Sequence, residues 1–142
     1  MLWTMEAMIE DWERGRSEVF EGATHADVER LLDDVAASSD ATLYLGAQVV
    51  GLDPPWVAFL PGAAGRFEVL AQRADDEPIL VPCREGGGAV VVVHQGTPSE
   101  IPSSQTLDLD EVRAVAAHFT DEAALDPVIE WVRRDEGPRV GS

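Results

Sequence analysis

Residues 41–94 read ATLYLGAQVVGLDPPWVAFLPGAAGRFEVLAQRADDEPILVPCREGGGAVVVVH, and the periodicity of this stretch decides the fold. Leu43 and Leu45 alternate around Tyr44, the two-residue repeat of a strand over 41–50. Asp53-Pro54-Pro55 interrupts it. Residues 56–60 follow as a short apolar strand, closed by the turn chemistry of Pro61-Gly62-Ala63-Ala64-Gly65. In 66–72, Phe67, Val69 and Ala71 share one face, and Asp75-Asp76-Glu77-Pro78 makes the next turn. Strands over 79–84 and 89–94 flank Gly86-Gly87-Gly88 as a hairpin. Four consecutive valines, Val90 to Val93, imply a strand buried on both faces and therefore central in the sheet.

Working outward to the amino-terminal side, residues 4–11 read as a strand with Met5, Ala7 and Ile9 on one side. Their Met, Glu and Ala also suit the first turns of a helix. Glu13-Arg14-Gly15-Arg16 forms a turn, and 17–22 return as a second strand with Val19 inward. Thr24 then caps a helix, with Asp27 three residues on, and Val28, Leu31, Leu32 and Val35 form its buried stripe. Beyond the meander, 96–106 is a polar loop with Pro98 and Pro102. Asp108 caps a second helix running through Phe119, its stripe made by Leu109, Val112, Val115, Ala116 and Phe119. A last short strand covers 128–132, and 133–142 is a charged tail that frays. The pattern is α+β: a mostly antiparallel meander sheet of about seven or eight strands with two helices, residues 1–142 forming one domain.

The chain carries 27 acidic residues against 10 basic ones, a formal charge of −17. Every basic residue is arginine, and neither lysine nor asparagine occurs. Lysine and asparagine codons are AT-rich, so their joint absence marks a high-GC genome and not a chemistry. Such acidity excludes a typical nucleic-acid binder, which needs a basic footprint for phosphates. It also excludes electrostatic docking on an anionic membrane. It suits a partner that is itself basic. A hydrophobic content of 45% is that of a globular chain. The single cysteine, Cys83, forbids an internal disulfide. No stretch reaches the ~18 apolar residues of a membrane span. Residues 1–9 carry Glu6 and lack the basic and apolar regions of a signal peptide. The expected compartment is the reducing cytoplasm.

A search for catalytic constellations finds none. His25, His94 and His118 lie far apart in sequence, and none pairs with a cysteine at zinc-ligand spacing. Cys83 and His94 could meet across the Gly86–Gly88 hairpin, but counting inward from the turn sets Cys83 opposite a residue near Val91. A nucleophile and its base need direct hydrogen-bond reach. Gly62-Ala63-Ala64-Gly65 lacks a following Lys-Ser/Thr, and Gly86-Gly87-Gly88 leads into a strand, so neither cradles phosphate on a helix N-terminus. Asp108-Leu109-Asp110-Glu111 lacks the spacing of a calcium loop and reads as a helix N-terminus. No metal, cofactor or catalytic residue is expected. An enzyme using Cys83 and a generic acidic interaction module stand as the alternatives to a specific binder.

Charge and topology together nominate a surface. Residues 1–40 hold eleven acids and three arginines, a net −8, the densest third of the chain. In a meander, alternate connections share one end, which would gather Asp53, Asp75-Asp76-Glu77 and Glu100 into an acidic rim with Trp56 close by. An aromatic anchor in an acidic rim fits a basic protein partner. Trp12 at a hairpin end and Trp56 after two prolines are the tryptophans open to exposure, while Trp131 belongs to the core.

The order of these features resembles the Imm1 family of bacterial immunity proteins. The likeness rests on Ile101-Pro102 before the helix 109–119 with Val112 and Ala116, and on the closing Val128-Ile129-Glu130-Trp131. Met5-Glu6-Ala7, then Thr24-His25-Ala26-Asp27-Val28 and Leu31-Leu32, agree with it in the first half. The resemblance implies a non-enzymatic antidote, encoded beside a polymorphic or contact-dependent toxin. It further implies that this protein binds its cognate toxin in the cytoplasm, such toxins often being nucleic-acid deaminases or nucleases.

Overall fold

The chain opens with a hairpin in which β1 (Glu6–Asp11) buries every second residue and β2 (Arg16–Phe20) returns antiparallel beside it. The structure, a computed structural model, describes residues 3–134. Thr24 and Asp27 exchange side-chain and backbone hydrogen bonds in a complete capping box, which starts α1 (His25–Ala36). Its buried residues are Val28, Leu31, Leu32 and Val35, the stripe expected from their spacing. β2 and β3 (Ala41–Gln48) both run antiparallel to β1, so they point the same way, and α1 is the crossover that such a pair requires. β3, β4 (Asp53–Pro61) and β5 (Arg66–Gln72) then form the meander.

The remaining elements are β6 (Leu80–Pro82), β7 (Ala89–His94), β8 (Thr97–Pro102), β9 (Thr106–Asp108), α2 (Leu109–Glu122) and β10 (Trp131–Arg133). The main sheet has eight strands in the order β10-β6-β5-β4-β3-β1-β2, with β9 sharing the outer edge of β5. All pairings are antiparallel. With its two helices the protein is therefore α+β, as its sequence pattern indicates. α2 starts from a second capping box, between Asp108 and Glu111, and buries Val112, Val115, Ala116 and Phe119. Arg113 ties it to α1 through Glu29 at 2.6 Å and Asp33 at 2.7 Å.

The sheet is covered on both faces. The helices cover one, where Ile9, Leu31, Leu43, Phe59, Val69 and Phe119 form the main core. The ribbon of β7 and β8 covers the other, where Val90 and Val92 meet Trp56, Ala58 and Leu60. Gly62 lets the ribbon come this close. A Cβ there would stand 2.8 Å from Val90 Cγ1 and 2.9 Å from Val92 Cγ2, far inside van der Waals contact.

Several sequence expectations are corrected by this arrangement. The four valines are not a central strand: β7 pairs with β8 in a separate two-stranded sheet, and Val91 is 46% exposed. The strand buried on both faces is β4, from Trp56 to Pro61. β6 does not pair with β7 across the triple glycine but lies between β5 and β10. The segment read as a polar loop contains β8 and runs into the first residue of β9. Val19 points outward because the β1–β2 register sets Glu18 and Phe20 beside Ile9 and Ala7, leaving Val19 beside Met8 on the opposite face, outside the cluster that the ribbon covers. Trp131 is half-buried against the core edge. Arg133 ends β10 and the Arg134 N–H donates to Ile79 O at 2.9 Å, while 135–142 of the expected frayed tail lie outside the described residues.

The turn between β1 and β2 is unusually well tied. Asp11, 1% exposed, accepts from the Arg14 N–H and the Ser38 hydroxyl, each at 3.0 Å. The Trp12 and Glu13 N–H groups donate to Asp40 O. The Glu13 carboxylate accepts from Ser38 and Ser39, and the Ser39 N–H above all holds its pKa below the usual glutamate range. Asp40 in turn accepts from Gln95 and Gly96 at the tip of the ribbon. Three separate segments thus lock one corner of the molecule.

Candidate functional site

β3 ends, β4 begins and β5 ends at one edge of the sheet, so Asp53 and the turn carrying Asp75-Asp76-Glu77 share that end. Asp53, Asp75 and Asp76 are exposed. The turn is held from below. The Trp56 indole N–H donates to Gln72 Oε1 at 3.1 Å, and Gln72 Nε2 donates to Glu77 O at 3.0 Å. Arg73 Nε donates to the Glu77 carboxylate at 3.0 Å. Trp56 is therefore a buried support of this end and not an exposed anchor, at 8% exposure. The two prolines before it lie within β4, which is why they do not mark a loop. Glu100 is elsewhere: it sits in the middle of β8, facing Val91 across the ribbon. The departure of β7 from the main sheet removed it from the meander's alternation of ends.

The arginines are engaged within the chain, which leaves a surplus of carboxylates without a cation. Arg14, Arg16, Arg30, Arg73, Arg84, Arg113 and Arg134 each face a carboxylate of the same chain within 4.0 Å. Arg66 donates to Thr106 through its Nε and Nη2. These cations are taken up internally, and among the described residues Asp53, Asp75, Asp76 and Glu100 have no arginine opposite them.

The tryptophans separate cleanly. Trp3 donates its indole N–H to Thr120 O at 2.9 Å, Trp56 to Gln72, and Trp131 to Asp126 O at 3.0 Å. Trp12 is 57% exposed, and among the described residues no acceptor meets its indole N–H.

A cleft of about 320 Å³ lies between the second sheet face and the ribbon, with Tyr44, Trp56, Glu68, His94 and Arg134 in its wall. Burial pushes the Glu68 carboxyl above the usual range, with Arg134 at 4.0 Å and His94 opposing that shift only in part. His94 Nδ1 lies 3.4 Å from Thr42 Oγ1. Cys83 is not in this wall. Its N–H donates to Glu130 O beside β10, while His94 closes β7 on the ribbon, so the thiol and imidazole are not a pair. Among the described residues no group of three His, Cys, Asp or Glu side chains is placed to hold a metal.

Glu68 gives a pH signature. Its folded pKa lies above the unfolded one, so the folded state holds more protons between the two values, and stability falls as pH rises through that interval. Glu68→Gln is expected to raise the thermal midpoint at neutral pH by a few degrees. The gain should shrink as the pH is lowered towards about 5, nearer the ordinary carboxylate range. Parallel thermal melts of both proteins check this, and a gain independent of pH would refute it.

A family model described as immunity protein Imm1 matches residues 16–133. The chain belongs to the Imm1 family. The match runs from the first residue of β2 to the last of β10 and so takes in both helices, the meander and the ribbon. Among curated proteins no relative matches the chain. An Imm1 protein is an immunity protein, a role that implies neutralising a toxin by binding it and not by catalysis. The candidate surfaces on this Imm1 protein are the acidic end, with Asp53 and the 75–77 turn, and the corner with the exposed Trp12. No helix among its described residues is long and apolar enough to cross a membrane.

Proposed function

We propose that this Imm1 protein binds a cognate toxin that acts on nucleic acid, a deaminase or nuclease, and neutralises it by covering its basic cleft. The encounter takes place in the cytoplasm, where such a toxin meets its substrate. The observation that carries this reading is the −17 charge together with the internal pairing of the arginines. A protein that handles a polyanion presents a cationic groove. An exterior of unpaired carboxylates competes for that groove by the same electrostatics. Asp53, Asp75, Asp76 and Glu100 supply the unpaired attracting charge, while Glu77, bound to Arg73, and the buried Trp56 support the 75–77 turn. The direct test is to add the protein in stoichiometric amount to the toxin encoded by the neighbouring gene and measure toxin activity on its nucleic acid. Full activity in the presence of the protein would end the proposal for that toxin.

Charge reversal of the turn gives a sharper result. Asp75→Arg, Asp76→Arg and Glu77→Arg together are expected to slow association with the toxin about tenfold at low ionic strength. The deficit should fade as salt is raised, since such fields are screened over about 10 Å at 0.1 M. Stopped-flow association measured across a salt series checks it. Equal association rates at low salt would remove this end from the encounter.

A further inference from the structure

Trp12 has what a contact anchor needs and nothing that the fold requires of it. It is 57% exposed, and it is the tryptophan whose indole N–H meets no acceptor among the described residues. Tryptophan is enriched among the few residues that dominate protein interfaces. The turn that carries it is locked, through Asp11 and through Asp40, to the α1–β3 connection and the ribbon tip. An anchor already held in place loses little freedom on binding.

The chemistry beside the indole selects the kind of group it takes. A hollow of about 250 Å³ adjoins Trp12, with Glu10, Asp11 and Arg16 in its wall. Arg16 is already taken, by Asp34 at 2.8 Å and Glu18 at 3.1 Å. Glu10 faces no arginine among the described residues, and its charge is felt by Tyr44, whose hydroxyl pKa is raised by burial and then by Glu10. An aromatic face next to a carboxylate free of arginine is a site for a cation. A hollow of this size suits a side chain better than a cofactor, whose pockets run from about 300 to 1,000 Å³.

We propose that Trp12 is the contact anchor for the cognate toxin, receiving an arginine or lysine side chain of that protein along the indole and against Glu10. This rests on the reading above that the partner is a basic toxin. β1 ends at Trp12's corner, whereas Asp53 and the 75–77 turn lie at the opposite end of the strands. The two surfaces therefore have different kinetic signatures. Distant charge steers association, and an anchor in contact sets dissociation.

The test uses the full chain and the neighbouring-gene toxin, inactivated at its catalytic residue, in a surface-binding measurement of both rate constants. Trp12→Ala is expected to speed dissociation about thirtyfold, with the association rate and thermal midpoint nearly unchanged. Glu10→Arg keeps the indole and is expected to weaken binding about tenfold, more at low salt than at high. If the wild-type chain binds tightly and Trp12→Ala leaves dissociation unchanged, the anchor is overturned while the proposed function stands. If Trp12→Ala acts but Glu10→Arg does not, the assignment of a basic side chain is overturned. If the wild-type chain does not bind the toxin at all, both fall. Sedimentation of the chain alone covers the remaining occupant: a dimer that Trp12→Ala dissolves assigns the corner to a second copy and overturns the proposal.

Discussion

Replacing Phe119 with alanine is expected to lower the unfolding free energy by about 3–5 kcal/mol. Phe119 is 1% exposed and is among the largest fully buried side chains, projecting from α2 into the main core. Its ring also meets Trp3 edge-on, with centroids 5.3 Å apart and planes at 82°. Such pairs add about 0.5–1.5 kcal/mol beyond the area they bury. Trp3 is fastened at the same place by its indole hydrogen bond to Thr120 O. Truncation therefore opens a cavity and loosens the segment that leads into β1. A domain of ordinary stability has about 5–15 kcal/mol in all, so the variant should be folded in the cold and close to its limit at 37 °C. Urea unfolding measures the loss, and Phe119→Leu should recover most of it by refilling volume. A loss below about 1.5 kcal/mol would mean that Trp3 moves into the space, which the shift of its fluorescence would report.

Phe119 was legible from spacing alone, and the reasons other features were not are physical. Both helices announce themselves locally: Thr24 with Asp27 and Asp108 with Glu111 form the capping boxes, and the stripes 28-31-32-35 and 112-115-116-119 follow from 3.6 residues per turn. β3, β4 and β5 are legible because their turns are made by neighbours in sequence. The place of β7 is not, because its environment is set by distant residues. Val90 and Val92 are buried by Trp56, Ala58 and Leu60, and Val91 and Val93 project from the other side of the ribbon, so an unbroken apolar run carries no alternation to read. β8 is hidden by Pro98 and Pro102, which a strand paired on one side tolerates. The site divides in the same way. Which residues are acidic is plain from composition, and Asp53 with 75–77 share an end because a meander dictates it. Glu100 departs with the ribbon, and Trp56 is buried by that same ribbon. The exposure of Trp12 at a hairpin end was readable; the lock that holds it draws on Ser38, Ser39 and Asp40, more than 25 positions away, and could not be.

That lock makes Asp11 the second position of large effect. Asp11→Ala is expected to cost about 2–4 kcal/mol. Its Oδ1 receives both the Arg14 N–H and the Ser38 hydroxyl; removing it strands the Arg14 N–H beside a position that is 1% exposed and leaves the Ser38 hydroxyl to Glu13 alone. Its Oδ2 has no hydrogen bond and lies 3.7 Å from Arg14 Nη1, so the charge is answered by one arginine only. Asp11→Asn separates these contributions. The amide oxygen can still accept at the Oδ1 position, while the charge facing Arg14 is lost, so the cost should be about half that of alanine. Urea unfolding gives both numbers, and equal losses would place the whole effect on the charge. The consequence for binding follows from what the carboxylate holds. Asp11 keeps the Arg14 and Ser38 ends of the corner together, so its loss should leave Trp12 present but less ordered, and binding would then have to order it. Trp12→Ala removes the anchor without touching stability; Asp11→Ala keeps the anchor, loses stability and should still speed toxin dissociation, with Asp11→Asn between it and wild type. Dissociation that ignores Asp11 while responding to Trp12 would mean that the indole needs no lock, and that the corner is tied for the sake of the sheet alone.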